Sequence, residues 1–446
     1  MADKLWQKDY SLDQRIADFT IGRDVELDLL LAPFDILGSL AHIQMLHEVG
    51  LLAAEDLRRC KPALQQQYQK AISGAFVIEA GVEDVHSQVE LLLTRTIGEA
   101  GKKIHSGRSR NDQVLLDLRL YFRHKIQEIV TQTQSLSTTL LDLSDQHRDK
   151  LIPGYTHLQV AMVSSFGLWF GAFGESLIDD LRMWHGIYDT VDQNPLGSAA
   201  GYGSSFPLDR QRTTELLGFQ DLAYNVVHAQ MGRGKTELLI AFGIASIAQT
   251  LSKLATDVCL YSSQNFGFVR LPDELTTGSS IMPHKKNPDV FELVRGRCNL
   301  LLSLPSQIGQ MLSNQPSGYH RDFQLLKEAI FPAIDQLLDC LAIVAYALPR
   351  MEVYDQDLPN QDRYRYLYSV EAVNALVLEG VPFRDAYLKV GKDIEGGTFV
   401  PPTRLQHTHL GSLGNLANDA IRNKLERVIQ GFDFGRAERA LADLLK

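Results

Sequence analysis

The chain has little cysteine, no excess of positive charge and no long apolar run, and each shortage excludes a class of protein. Four cysteines in 446 residues, Cys60, Cys259, Cys298 and Cys340, are too few and too scattered for a disulfide framework. They also lack metal-ligand spacing, so no zinc site is expected and a reducing, cytoplasmic setting is. A formal net charge of −10 and a pI near 5.7 leave no electrostatic footprint for nucleic acid or for an anionic membrane surface. The greasiest stretches, residues 238–247 and 341–348, are too short to span a bilayer, and the first nine residues contain no apolar leader segment. Strand-like alternation is scarce outside short pieces near residues 265–271. Small polar partners are therefore the expectation.

What the sequence does hold is helix. Between Gly107 and Pro153 there is neither glycine nor proline, while Leu115, Leu118, Phe122, Ile126, Ile129, Leu136, Leu140 and Leu143 recur at helical spacing. A helix of roughly 40 residues would reach about 60 Å, and it needs neighbours of similar length to cover its apolar stripe. Segments 166–191, 236–264, 289–314 and 321–348 have the right periodicity, with Pro305 and Pro332 expected to kink or interrupt the last two. The reading is an all-α fold, a long-helix central bundle over residues 110–355. Smaller helical domains are expected at 1–109 and 356–446. With 45% hydrophobic residues the chain can bury a sizeable core.

Three polar segments interrupt this pattern with the residue types that chemistry needs. The first, residues 105–113, contains Arg108, Ser109, Arg110 and Asn111 and runs straight into the long helix, so it offers backbone N–H groups and two arginines to an anion. A capped, solvated turn explains the same residues. The second, residues 153–159, sets Thr156 beside His157, the side chain most easily tuned for proton transfer near neutral pH, although a structural histidine is an equally simple account. The third, residues 278–288, combines Gly278, which permits unusual backbone angles, with Ser279, Ser280, Lys285 and Lys286. Asn287 suits a helix N-cap, Pro288 the first helical position, and Glu292 falls one turn inside. Two other segments are set aside. Residues 232–236 lack the first glycine of a phosphate loop and follow no strand, and His407 and His409 have no metal-binding partner at suitable spacing.

The third segment resembles the signature Gly-Ser-Ser-x-Met-Pro-x-Lys-x-Asn-Pro of the fumarase/aspartase superfamily at every specified position from Gly278 to Pro288. Residues 106–113, 154–159, 83–87 and 380–386 look like the versions found in argininosuccinate lyases. The resemblance implies a homotetramer whose active sites are shared between subunits, with no organic cofactor and no metal. The implied reaction is the reversible β-elimination of argininosuccinate to arginine and fumarate, in arginine biosynthesis. It further implies that Ser279 and His157 handle the proton, that Glu292 orients His157, and that Lys285 is catalytic. Ser109, Arg110, Asn111, Thr156 and Asn287 are then substrate contacts. Tyr319, Gln324 and Lys327 match the contacts at the arginine end.

Departures cluster at that end. Leu325 and Leu326 stand where the family has two acids, and Gly234 where it commonly has aspartate. Val160 stands where the family has arginine, and Gly22 to Asp24 lie where a substrate-contacting serine is usual. A lyase acting on another N-substituted aspartate, or a non-catalytic crystallin-like protein, are the alternatives these changes leave open.

Overall fold

A computed structural model describes residues 13–402, 405 and 407–446. The reading of the first nine residues lies outside the described residues.

The glycine- and proline-free stretch forms one helix, Arg110–Gln146, of 37 residues. Its start is set by side chains. Ser109 is the N-cap and accepts the Asn111 N–H at 3.2 Å, while Asp112 Oδ1 accepts the Ser109 N–H at 2.8 Å, a reciprocal capping box. The other Asp112 oxygen accepts the N–H groups of Gly197 at 3.0 Å and Ala199 at 2.9 Å. One buried carboxylate thus ties the helix start to a loop more than 80 residues later in the chain.

The helix Phe166–Val191 returns antiparallel against it. Ser144 donates to the Gly167 carbonyl at 2.6 Å and Ser137 to that of Gly174 at 2.9 Å, and at the far end Arg119 donates to the Thr190 carbonyl. A side chain at Gly167 would meet the Arg148 backbone at 2.8 Å, so glycine there sets how closely the two helices approach. The helices Lys235–Tyr261 and Gln324–Ala347 complete the main layer. Between them Phe122, Phe166, Phe170, Trp184 and Phe331 are fully buried. The fold is all-α, as the periodicity implies, with only two-stranded pieces of sheet.

Several boundaries differ from the sequence expectation. The helix expected over 289–314 is two, Asp289–Leu301 and Leu304–Met311. Pro305 sits in the first turn of the second, where its missing N–H costs nothing, so it starts a helix instead of kinking one. Pro332 lies inside the 324–347 helix without ending it. A hairpin, Leu151–Thr156 with Gln159–Ser165, stands where only a turn was expected. The expected strand near 265–271 shrinks to Val269–Arg270, paired with Glu352–Val353. Three helices, around 24–48, 235–261 and 321–350, are long and apolar enough to cross a membrane by length and composition, which corrects the reading that no stretch is. Half or more of each apolar window is buried inside the protein, so bundle packing accounts for it.

A second core gathers the helices Asp24–Glu48, Ala54–Ile72 and Val85–Ile97 around Ile36, Leu40, Leu64, Val89 and Leu93. A third, smaller one holds Tyr364, Leu367, Tyr368, Val390 and Phe399. The last helix, Phe434–Leu444, turns away from the third core and lays Leu444 into the second.

Asp112→Ala is expected to lower stability by at least about 3 kcal/mol, because three backbone N–H groups lose their acceptor. Ser109→Ala removes a single cap and should cost only about 1 kcal/mol. Chemical denaturation of both variants checks the order, and equal losses would show that Asp112 acts as a helix cap alone.

Candidate active site

At the head of the long helix the two arginines are already occupied. Arg108 is buried and donates to Ser39 Oγ at 3.0 Å. Arg110 donates to Ser87 Oγ at 2.6 Å and lies 3.2 Å from Asp84 and 3.4 Å from Glu83. The expectation that both arginines wait for an anion is therefore corrected: acids from the 83–87 segment neutralise Arg110. What remains open at this helix start is Ser109 and Asn111, with the positive end of the helix behind them.

Behind these residues lies a charged cluster that sequence reading missed. His86 Nδ1 sits 2.6 Å from Asp35 and 3.6 Å from Asp117, all three buried. Burial pulls the imidazolium toward neutrality, but Asp35, then Asp117 and Asp84, overcome it and hold the His86 pKa up at about 10. These three residues are also the group with metal-like spacing among the described residues. The hydrogen bond to Asp35 occupies the nitrogen that would face an ion, so a histidine cation fills the role between the two acids.

His157 and Leu158 form the two-residue turn of the hairpin, with φ of 53° and 60°. Such a turn normally uses asparagine and glycine, because both positions need left-handed backbone. Here it carries an exposed imidazole and an exposed leucine instead, a local strain of the kind found at functional positions. Tyr155 anchors the hairpin on Phe266, ring centres 5.8 Å apart, and Thr156 pairs with Gln159 at the base of the turn.

The signature loop closes through a short antiparallel pair, Thr277–Gly278 with Lys286–Asn287. Gly278 is extended there, so it supplies no left-handed angle. Asn287 is held in the ladder and the N-cap passes to Pro288, one residue later than expected, with Thr277 donating to Asp289 across the pair. Ser279 Oγ accepts two backbone N–H groups, from Met282 at 3.2 Å and Ile281 at 3.4 Å. Lys286 pairs with Asp273 at 3.0 Å, whereas Lys285 has no ion-pair partner among the described residues. Glu292 faces Arg295 at 3.9 Å.

Tyr319 packs on Phe323 and Gln324 opens the last bundle helix. Lys327 is buried between Asp24 at 2.7 Å and Asp28 at 2.6 Å, a triad outside the sequence expectation. Two acids four residues apart on an apolar helix were the available signal. Leu326 is buried and Leu325 is exposed, so only Leu325 of that pair borders solvent. His407 pairs with Glu371 at 2.9 Å, a carboxylate 36 residues earlier that sequence spacing does not point to. Residues 232–236 form a helix start, not a phosphate loop.

These pieces fall at two ends of the bundle. Ser109 and Asn111 begin the 37-residue helix and the hairpin follows its last turn, about 55 Å away at 1.5 Å per residue. The signature loop lies at the hairpin end, because the helix it leads into runs antiparallel to 235–261. Asn299 meets Ser252, and Leu312 abuts Gly234. Tyr319, Gln324 and Lys327 lie at the opposite end, where Arg233 donates to the Phe323 carbonyl and Asp28 accepts from Val85. Among the described residues no hydrogen bond joins His157 or Ser279 to another expected site residue.

The chain matches the lyase family over residues 2–301. It is 56% identical over 445 residues to an argininosuccinate lyase of Phocaeicola vulgatus, covering 100% of both chains. An argininosuccinate lyase of Stenotrophomonas maltophilia is 41% identical over 427 residues, 95% of this chain and 98% of that one. Among solved structures, EDDS lyase in complex with formate superposes with a TM-score of 0.75 at 22% identity, over 98% of this chain and 94% of that one, a likeness of fold.

Because His86 is held above its ordinary value of 6.5, the stability its charge contributes is fully present below pH 6.5 and lost as pH rises through about 10. His86→Gln is expected to melt well below the parent at pH 6, with the gap narrowing toward pH 10. A gap independent of pH, measured by thermal melting, would remove the charge from the account.

Proposed function

The chain belongs to the argininosuccinate lyases of the fumarase/aspartase superfamily, and from that premise we propose how its residues carry out the reversible elimination of argininosuccinate to arginine and fumarate. The observation that carries the reading is end-to-end identity with argininosuccinate lyases together with an unbroken signature at residues 278–288.

The hard step is removal of a proton from a carbon beside a carboxylate, which loads that carboxylate with extra negative charge. Stabilisation has to be in place before the charge develops. Lys285, without an ion-pair partner among the described residues, and Asn287 form one side of the clamp; Thr156, Ser109 and Asn111 form the other. Arg110, tied to Glu83 and Asp84, shapes the helix start and contacts substrate only at its edge. Ser279 takes the proton as an activated hydroxyl. The two N–H groups on its oxygen support this role, since they favour the serine anion without blocking the lone pair that accepts the proton. His157 relays the proton, and Glu292 orients it. Tyr319, Gln324 and Lys327 bind the arginine end. Asp24 and Asp28 supply there the acids that Leu325 and Leu326 do not.

Two groups of residues about 55 Å apart cannot serve one substrate from a single chain. We therefore propose that sites are shared between copies, in the homotetramer that the resemblance implies, with one copy supplying Ser109 and Asn111 and others His157 and Ser279. Leu293, Leu300, Ile343 and Tyr346 on the outer bundle helices are exposed apolar residues that packing between copies would cover. Four free cysteines fit a reducing cytoplasm.

Purified protein given argininosuccinate is expected to release fumarate, read as ultraviolet absorbance, and Ser279→Ala should lose at least about a thousandfold in kcat with the assembly intact. Activity retained in that variant would remove Ser279 from its role. Mixing inactive Ser279→Ala with inactive Asn111→Ala and letting subunits exchange should restore turnover, because some shared sites then hold both residues. No recovery after demonstrated exchange would mean that each site is built within one chain.

A further inference from the structure

We propose that a separate carboxylate-binding pocket opens at the amino end of the 235–261 helix, beside the segment that binds the arginine end. A cavity of about 260 Å³ is lined there by Arg233, Lys235, Gln315, Ser317, Gly318 and Phe323. That volume suits a carboxylate on a few carbons.

Three features make the cavity cationic. The first is the start of a 27-residue helix, whose macrodipole places positive charge at this end. Gly234, with φ of 82°, caps it, and the Leu312 side chain lies 2.2 Å from where a Cβ would stand, so only a bare backbone fits. The second is Lys235, exposed and without an ion-pair partner among the described residues. The third is Arg233, whose side chain is only 3% exposed. Its Nη2 donates to the Phe323 carbonyl at 2.8 Å and its Nε lies 2.9 Å from Glu237 as an ion pair, but neither Nε nor Nη1 makes a hydrogen bond. A guanidinium N–H taken out of water and left unpaired costs stability, so a buried one marks a place for an acceptor.

One acid opposes this charge. Glu237 accepts the Gly234 N–H at 2.7 Å with one oxygen and faces Arg233 with the other, so it balances only one of the two cations. The pocket stays net positive. It also gives a role to the segment Gly232-Arg233-Gly234-Lys235-Thr236, which the elimination chemistry leaves unused: glycine at 234 puts no side chain between the helix start and the cavity.

Two sources can deliver the carboxylate. Gly318 and Phe323 flank Tyr319 and Gln324, so the pocket can hold the carboxylate at the arginine end of the substrate, an assignment that rests on the proposed function. A free dicarboxylate can occupy it independently. The test uses the full-length protein and Lys235→Glu, an exposed position, with succinate as probe and Lys235→Arg as the conservative control. If the substrate fills the pocket, Lys235→Glu should raise KM for argininosuccinate about tenfold or more with kcat changed less than threefold, succinate should compete, and Lys235→Arg should restore KM. If a free anion fills it, succinate should raise the melting temperature of the parent and of Lys235→Arg but not of Lys235→Glu, with KM unchanged. Lys235→Glu matching the parent in both KM and succinate-dependent melting would overturn the site. Succinate held by the elimination clamp shifts the parent and Lys235→Glu alike, so the difference between their melting shifts reads the pocket even if the parent releases no fumarate, and failure of the function and failure of the pocket are told apart.

Discussion

The geometry of this protein depends on one rigid distance, the length of the 110–146 helix. Backbone hydrogen bonds hold its 37 residues in a single rod, and nothing short of breaking the rod brings its ends together. The polar residues sit where the rod stops, because buried apolar contacts occupy its length. The rod is fixed at its head by Asp112, which also sets the 197–199 loop, and covered along its side by the returning 166–191 helix. Chemistry that needs residues from both ends is thereby out of reach of one chain, which is why the proposed site draws on several copies.

The two ends are also different electrostatic environments. At the head of the rod, charge is abundant and internally balanced: His86 between Asp35 and Asp117, Lys327 between Asp24 and Asp28, Arg110 against Glu83 and Asp84. Such pairs contribute modestly to net stability, since desolvation offsets much of their attraction, but they fix side chains in place because breaking one leaves a buried charge exposed to low dielectric. At the hairpin end, ion pairs such as Lys286 with Asp273 and Arg422 with Asp145 lie nearer the surface, and His157, Lys285 and Ser280 are all exposed. A rigid, charge-balanced half and an open, reactive half suit a site closed by apposition of copies.

Sequence alone made the bundle legible because helical periodicity over long segments is a strong signal: 166–191 was placed to the residue, and the long helix to within a few. It failed where tertiary contact decides. The hairpin at 151–165 contains Pro153 and Gly154 and turns through His157 and Leu158, so no local preference announces it; packing of Tyr155 on Phe266 and Val163 on the third core holds it. Residues 278–288 stand out in composition as a candidate site, yet their extended pairing at 277–278 and 286–287 does not, because two-residue strands carry no pattern. Asp24 and Asp28 stand out as two acids on an apolar helix, but their partner does not: Lys327 lies some 300 residues away, and only the fold brings it to them.

The left-handed turn at His157 and Leu158 bears on how much stability this chain forgoes. Each L-residue held in that conformation costs roughly 1 kcal/mol relative to glycine or asparagine, which adopt it freely. A chain selected for thermal endurance alone would drift toward glycine at both positions. The imidazole and the leucine have instead been kept at the tip, so the hairpin is a reserve of stability that the sequence has left unclaimed.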